Sequence, residues 1–191
     1  SEFNIKELNG REYLASSTTK NVVWGKIYKK ELIQAKFFDT DEKIEDALYN
    51  LEVLINYLDA RIASVDLKLY AYFQRENSLV TYFEPSYFFK LAAKYFEFAK
   101  GQENKEVNSI LYTEALKRSL SARYQSVIYG DRDTMKNSDL IAKKCLKFSV
   151  PRKIVYWTFV YAPIIYRLFR IIDDPTLLQW ERNIRKSKRE S

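Results

Sequence analysis

Histidine is absent from this chain of 191 residues, and cysteine occurs once, as Cys145. The first absence excludes Ser-His-Asp triads, imidazole acid–base chemistry and His-ligated metals. The second excludes an internal disulfide and a cysteine zinc site, and is compatible with a reducing, cytosolic setting. Glycine and proline number four each, too few for the turn-rich strands of a sandwich or barrel. The uncharged run Ile154–Tyr166 is 13 residues long, against the about 20 that a membrane-crossing helix needs. The first residues are polar and carry no apolar core of a secretory signal. The chain begins Ser1-Glu2-Phe3 rather than with Met, which fits either an added leader or a start within a longer protein.

Apolar material is plentiful. Hydrophobic residues make up 47% and aromatics 16%, enough for a packed core over most of the length. The length suits one domain, or one domain with an appended helical piece. Charge is uneven: residues 143–191 hold twelve Lys/Arg against four Asp/Glu, a net +8, while residues 1–142 hold twenty against twenty-one, a net −1. Any anionic partner is therefore expected at the C-terminal segment.

Apolar spacing sets the coarse secondary structure. Leu8–Leu14 reads as a turn leading into a short helix, Val22–Tyr28 as a strand and Glu31–Lys36 as a helical turn. Ile44, Ala47, Leu48, Leu51, Leu54, Ile55 and Leu58 recur at helical steps and predict a helix of about four turns, with Asp39, Thr40 or Asp41 as its cap. Residues 60–73 alternate as one strand, or as two with a bend near Asp66. Helices follow: Pro85 to Ala99 closed by Gly101, Val107 to Tyr129 ending at Gly130, a short one capped by Ser138, and one opened by Pro151. The fold class expected is α+β, predominantly helical, with strands at about 22–28 and 60–73.

Three pieces stand in a telling order: Trp24-Gly25-Lys26-Ile27-Tyr28, then Glu45-Asp46 opening a helix, then Tyr70-Ala71-Tyr72-Phe73-Gln74-Arg75 with Ser78. In this order and spacing they resemble the second, acceptor-side half of a family 2, GT-A-type bacterial glycosyltransferase. The resemblance covers roughly Leu8 to Ser78. It implies an inverting transfer of a sugar from a nucleotide-diphosphate donor to a glycan or lipid-linked acceptor. It further implies residues 1–80 as the acceptor-side half of a catalytic domain and, beyond Ser78, only C-terminal helices in general; spacing and charge divide these into a helical extension, 81–142, and basic, aromatic-rich C-terminal helices, 143–191. The donor-binding half of such enzymes has no counterpart here, so the chain is expected to be a part of the enzyme, inactive alone.

Under this resemblance Asp46 is the general base and Glu45 its acidic neighbour. Such transfer needs a carboxylate to take the acceptor hydroxyl's proton, and the positive end of a helix keeps a carboxylate ionised. Acids in a first helical turn also serve stability alone. Trp24 offers a stacking platform for a sugar ring, or a core residue beside Val22 and Val23. Lys26 and Arg75 suit a diphosphate or acceptor group, or an ion pair with Glu45 or Asp46.

A divalent cation, Mg²⁺ or Mn²⁺, is expected for the full enzyme with its ligands outside this chain. Asp39-Thr40-Asp41 and Asp131-Arg132-Asp133 have the Asp-x-Asp spelling of such a site. Both lie downstream of the Trp-Lys-Tyr strand, whereas the family motif lies upstream, so they read as a cap and a turn. Arg152, Lys153, Arg167 and Arg170 flank the uncharged run and fit either a buried helix or one lying on an anionic membrane face. The expected setting is cytoplasmic, at the inner face of the plasma membrane. A non-catalytic helical module docking on a membrane or a protein is the alternative. Nucleic acid is not expected as a partner, because the charge is not interleaved along a recognisable binding module.

Overall fold

The computed structural model describes residues 5–15, 26–33, 45–65, 85–148 and 157. The protein is predominantly helical α+β, with one two-stranded antiparallel sheet among the described residues. It divides into two compact units, residues 1–78 and 79–191.

In the N-terminal unit, β1 (Ile5–Asn9) runs directly into α1 (Gly10–Ala15), and β2 (Arg61–Val65) follows α2 (Glu45–Asn56). β1 pairs antiparallel with β2, Ile5 opposite Val65 and Asn9 opposite Arg61. The stretch expected as a turn into a short helix thus begins as a strand, which forms by pairing with residues more than fifty positions away. A reciprocal capping box makes the switch from β1 to α1: the Asn9 N–H donates to Glu12 Oε2 (2.8 Å) and the Glu12 N–H donates to Asn9 Oδ1 (2.9 Å). Gly10 then lies against the turn after α2. A Cβ on it would stand 2.7 Å from the Tyr57 carbonyl oxygen and 2.8 Å from that of Leu58, and the Arg11 N–H donates to the Leu58 carbonyl at 3.0 Å.

α2 buries Ala47, Leu51 and Leu54, the apolar row of the sequence, together with Asn50. It is shorter than the spacing suggests. The Ala60 N–H turns back to the Tyr57 carbonyl at 3.0 Å, and the chain straightens into β2. The expected strand at 22–28 is corrected where it can be seen: Lys26–Lys29 take no regular structure and lead into a 3-10 turn, Lys30–Leu32. Residues 22–25 lie outside the described set, as do residues 66–73 of the second expected strand and the Asp39-Thr40-Asp41 cap.

In the C-terminal unit α3 (Pro85–Gly101), α4 (Lys105–Tyr129) and α5 (Arg132–Cys145) pack together. Gly101 is the last residue of α3 rather than a left-handed stop. The three-residue link is held by side chains: Asn108 Nδ2 donates to the Ala99 carbonyl at 2.7 Å, and Asn104 Oδ1 accepts the amides of Glu106 and Val107. Gly130, with φ 76°, closes α4 in the left-handed region where glycine carries no Cβ penalty. Asp131 caps α5 by accepting the Thr134 N–H at 3.0 Å. Asp131-Arg132-Asp133 is therefore a helix start, not a free turn. The expected cap Ser138 is instead buried mid-helix, because Asp131 already satisfies the first turn. α5 runs unbroken through Ala142 and Lys143, so the rise in positive charge there falls inside a helix.

Small side chains line α4. Ala115, Ser119, Ala122 and Ser126 are each at most 1% exposed and recur on one helical face. Their size lets neighbouring helices approach closely. Leu111 and Leu116 fill the remaining core with Leu91, Tyr95, Ile141 and Cys145. Arg123 and Asp139 tie α4 to α5 as an ion pair at 2.5 Å. At the other end of the unit Phe96 meets Tyr112 edge-on (centroids 5.7 Å), and Phe148 stacks on Tyr112 at 4.0 Å.

Candidate functional site

Glu45 and Asp46 occupy the first turn of α2, where the helix dipole favours negative charge. Both are half-buried. Glu45 Oε2 is shut off from water and has no hydrogen-bond partner among the described residues. Asn50, one turn on, shares the buried side of α2 and fixes two things at once. Its Nδ2 donates to the Asp46 carbonyl at 2.7 Å, and its Oδ1 accepts a short hydrogen bond from the Tyr28 hydroxyl. The Tyr28 ring also stands edge-on to Tyr49, with centroids 5.9 Å apart and planes at 80°. The segment carrying Lys26 is thereby pinned, through Tyr28, beside the helix that carries the acidic pair.

This neighbourhood holds Tyr28 in its neutral form. Burial raises its pKa first, and the charges that Tyr49, Tyr13 and Asp46 would carry raise it further. The phenol is a fixed donor across physiological pH. Burial raises the pKa of Tyr13 as well.

Of the residues singled out in the sequence, Glu45, Asp46 and Lys26 lie in described structure; Trp24 and Arg75 lie outside the described residues. Lys26 is half-buried. Asn50 and Tyr49 were not singled out. The readable signal was Asn50 itself, a polar residue at a buried helical position among Ala47, Leu51 and Leu54. A bond between Tyr28 and Asn50, 22 residues apart, has no local sequence signature.

A recess of about 240 Å³ lies elsewhere in this unit, lined by Glu7, Lys29, Arg61, Ile62 and Ala63. It contains neither member of the acidic pair. Arg61 and Glu7 already neutralise each other at 2.8 Å there, in an exposed ion pair. We place the candidate chemistry at α2's first turn, which carries the acidic pair one turn before the Tyr28–Asn50 bond, not at the recess.

Among the described residues no three His, Cys, Asp or Glu side chains gather to hold a metal ion. The divalent cation that the family resemblance implies is expected to take its ligands outside this chain, and the chemistry below routes no step through one. Also among the described residues, no helix is long and apolar enough to cross a membrane. Comparison with protein-family models, curated proteins and solved structures gives no match.

Proposed function

We propose that this chain is the acceptor-side and C-terminal part of an inverting glycosyltransferase that moves a sugar from a nucleotide-diphosphate donor to a glycan or lipid-linked acceptor in the cytoplasm. The observation that carries the reading is the acidic pair opening α2, held beside the Lys26–Tyr28 segment through the Tyr28–Asn50 hydrogen bond. Asp46 is the base. Its carboxylate takes the acceptor hydroxyl's proton as that oxygen attacks the anomeric carbon, and the bond to the diphosphate breaks with inversion. Glu45 adds negative charge beside the base. Lys26 and Arg75 are the cations for diphosphate or acceptor oxygens, and Trp24 is the stacking surface for the acceptor sugar. Donor binding belongs to residues outside this chain.

Calorimetry with a nucleoside diphosphate and Mn²⁺, on this chain and on the longest natural form, tests the reading. Binding is expected only for the longer form. In that form Asp46→Asn should lower transfer by at least about a hundredfold and spare nucleotide binding. Unchanged transfer would remove Asp46 as the base, and binding by neither form would sink the enzyme reading.

A further inference from the structure

α5 has a second side. It buries Ser138, Ile141, Ala142 and Cys145 against the other helices. Turned the opposite way are Lys136, Leu140 and Lys143, at steps of four and three residues along one helical face, and Lys147 follows in the turn after α5. At the rise of an α-helix the helical part of this row is about 10 Å long. All four are exposed, Leu140 by 54%. Phe148 follows, 50% exposed. Lys144 flanks the row, its Nζ 5.7 Å from the centre of the Phe96 ring.

Two carboxylates flank the row: Asp139, which is paired with Arg123 of α4, and Asp133, exposed in the first turn and three residues before Lys136. The middle and C-terminal part of this face sets four lysines around two exposed apolar side chains.

The mixture selects a partner. Lysines alone would suit any polyanion, but an exposed Leu140 gains nothing from a phosphodiester backbone. One face of Phe148 is already covered by Tyr112, which limits it as a platform for bases. A bilayer with anionic headgroups uses both kinds of side chain: phosphates meet the ammonium groups, and leucine and phenylalanine enter the boundary between headgroups and acyl chains. The sequence beyond continues the theme, with Arg152 and Lys153 ahead of the uncharged aromatic run 154–166. Within that run Trp157 is helical and 49% exposed.

We infer that the outward face of α5 docks on an anionic lipid bilayer. The inference does not depend on sugar transfer, and its test reads no catalysis. The full chain is sedimented with phosphatidylcholine vesicles, with and without phosphatidylserine. Binding is expected only to the anionic vesicles and weakens with added salt. The variant K136Q/K143Q/K147Q, with residues 149–191 untouched, should lower the partition coefficient on the order of a hundredfold. Leu140→Ser, which changes no charge, should lower it several-fold. Circular dichroism of both variants should match the parent, since all four positions are exposed. Three results would each overturn the inference: no preference for anionic vesicles, a triple variant that binds as the parent does, or tighter binding to duplex nucleic acid that Leu140→Ser leaves unchanged.

Discussion

Asp131 stands where α4 hands the chain to α5, one residue beyond the left-handed Gly130. Hydrogen bonds from Thr134, side chain first and then backbone, hold its carboxyl below the usual carboxylate range. Folding thus lowers this pKa. The cap's contribution is complete above the unfolded carboxylate pKa and fades as pH falls through the folded value. At neutral pH Asp131→Ala should cost about 1 kcal/mol. Urea unfolding at neutral pH and at about pH 3 should show the gap between parent and variant narrowing in acid; a gap that stays constant would rule out the ionised cap. The same residue shows how far single positions can be read from sequence. An Asp after Gly is a plain helix-start signal, yet Ser138 competed for the role because α5's apolar spacing only strengthens from Ile141 onward. At the candidate site, Asp46 was legible because acids favour a first turn. Asn50 and Tyr28 were not legible as a pair, because their bond depends on a loop returning to α2.

Elements with their own periodicity were the legible ones. α3 and α4 carry apolar faces and end signals, and α2 follows its leucine row. β1 is different: three of its five residues are exposed, and it exists through its ladder to β2. No window of its own sequence contains that information. Its junction with α1 is also a close backbone approach, at Gly10. Gly10→Ala forces a Cβ onto two carbonyl oxygens that belong to backbone and cannot swing aside. The cost should be about 2 kcal/mol, seen as a lower denaturant midpoint and faster hydrogen exchange at the Arg11 amide, whose acceptor is the Leu58 carbonyl. Exchange at Arg11 equal to that of the parent would show that α1 does not need the close approach.

Across the whole molecule there is one thiol, and the helical unit encloses it. Cys145 is 0% exposed, and burial pushes its pKa up to about 12. Thiol reagents attack the thiolate, so labelling must wait for the unit to open. Leu116→Ala, which empties a fully buried site, should cost about 3 kcal/mol and speed labelling on the order of a hundredfold. Lys105→Ala at an exposed position should leave the rate unchanged. Equal rates for all three proteins would mean that the thiol is reached without opening the core.

The row Ala115, Ser119, Ala122 and Ser126 also bears on how this protein can vary over time. Each position is buried in a close-packed interior, so a drifting sequence can exchange alanine, serine and glycine there but cannot admit a leucine unless a facing residue shrinks in step. Paired change across the helix contacts, rather than change at one position, is the route by which descendants of this chain can alter the unit and keep it.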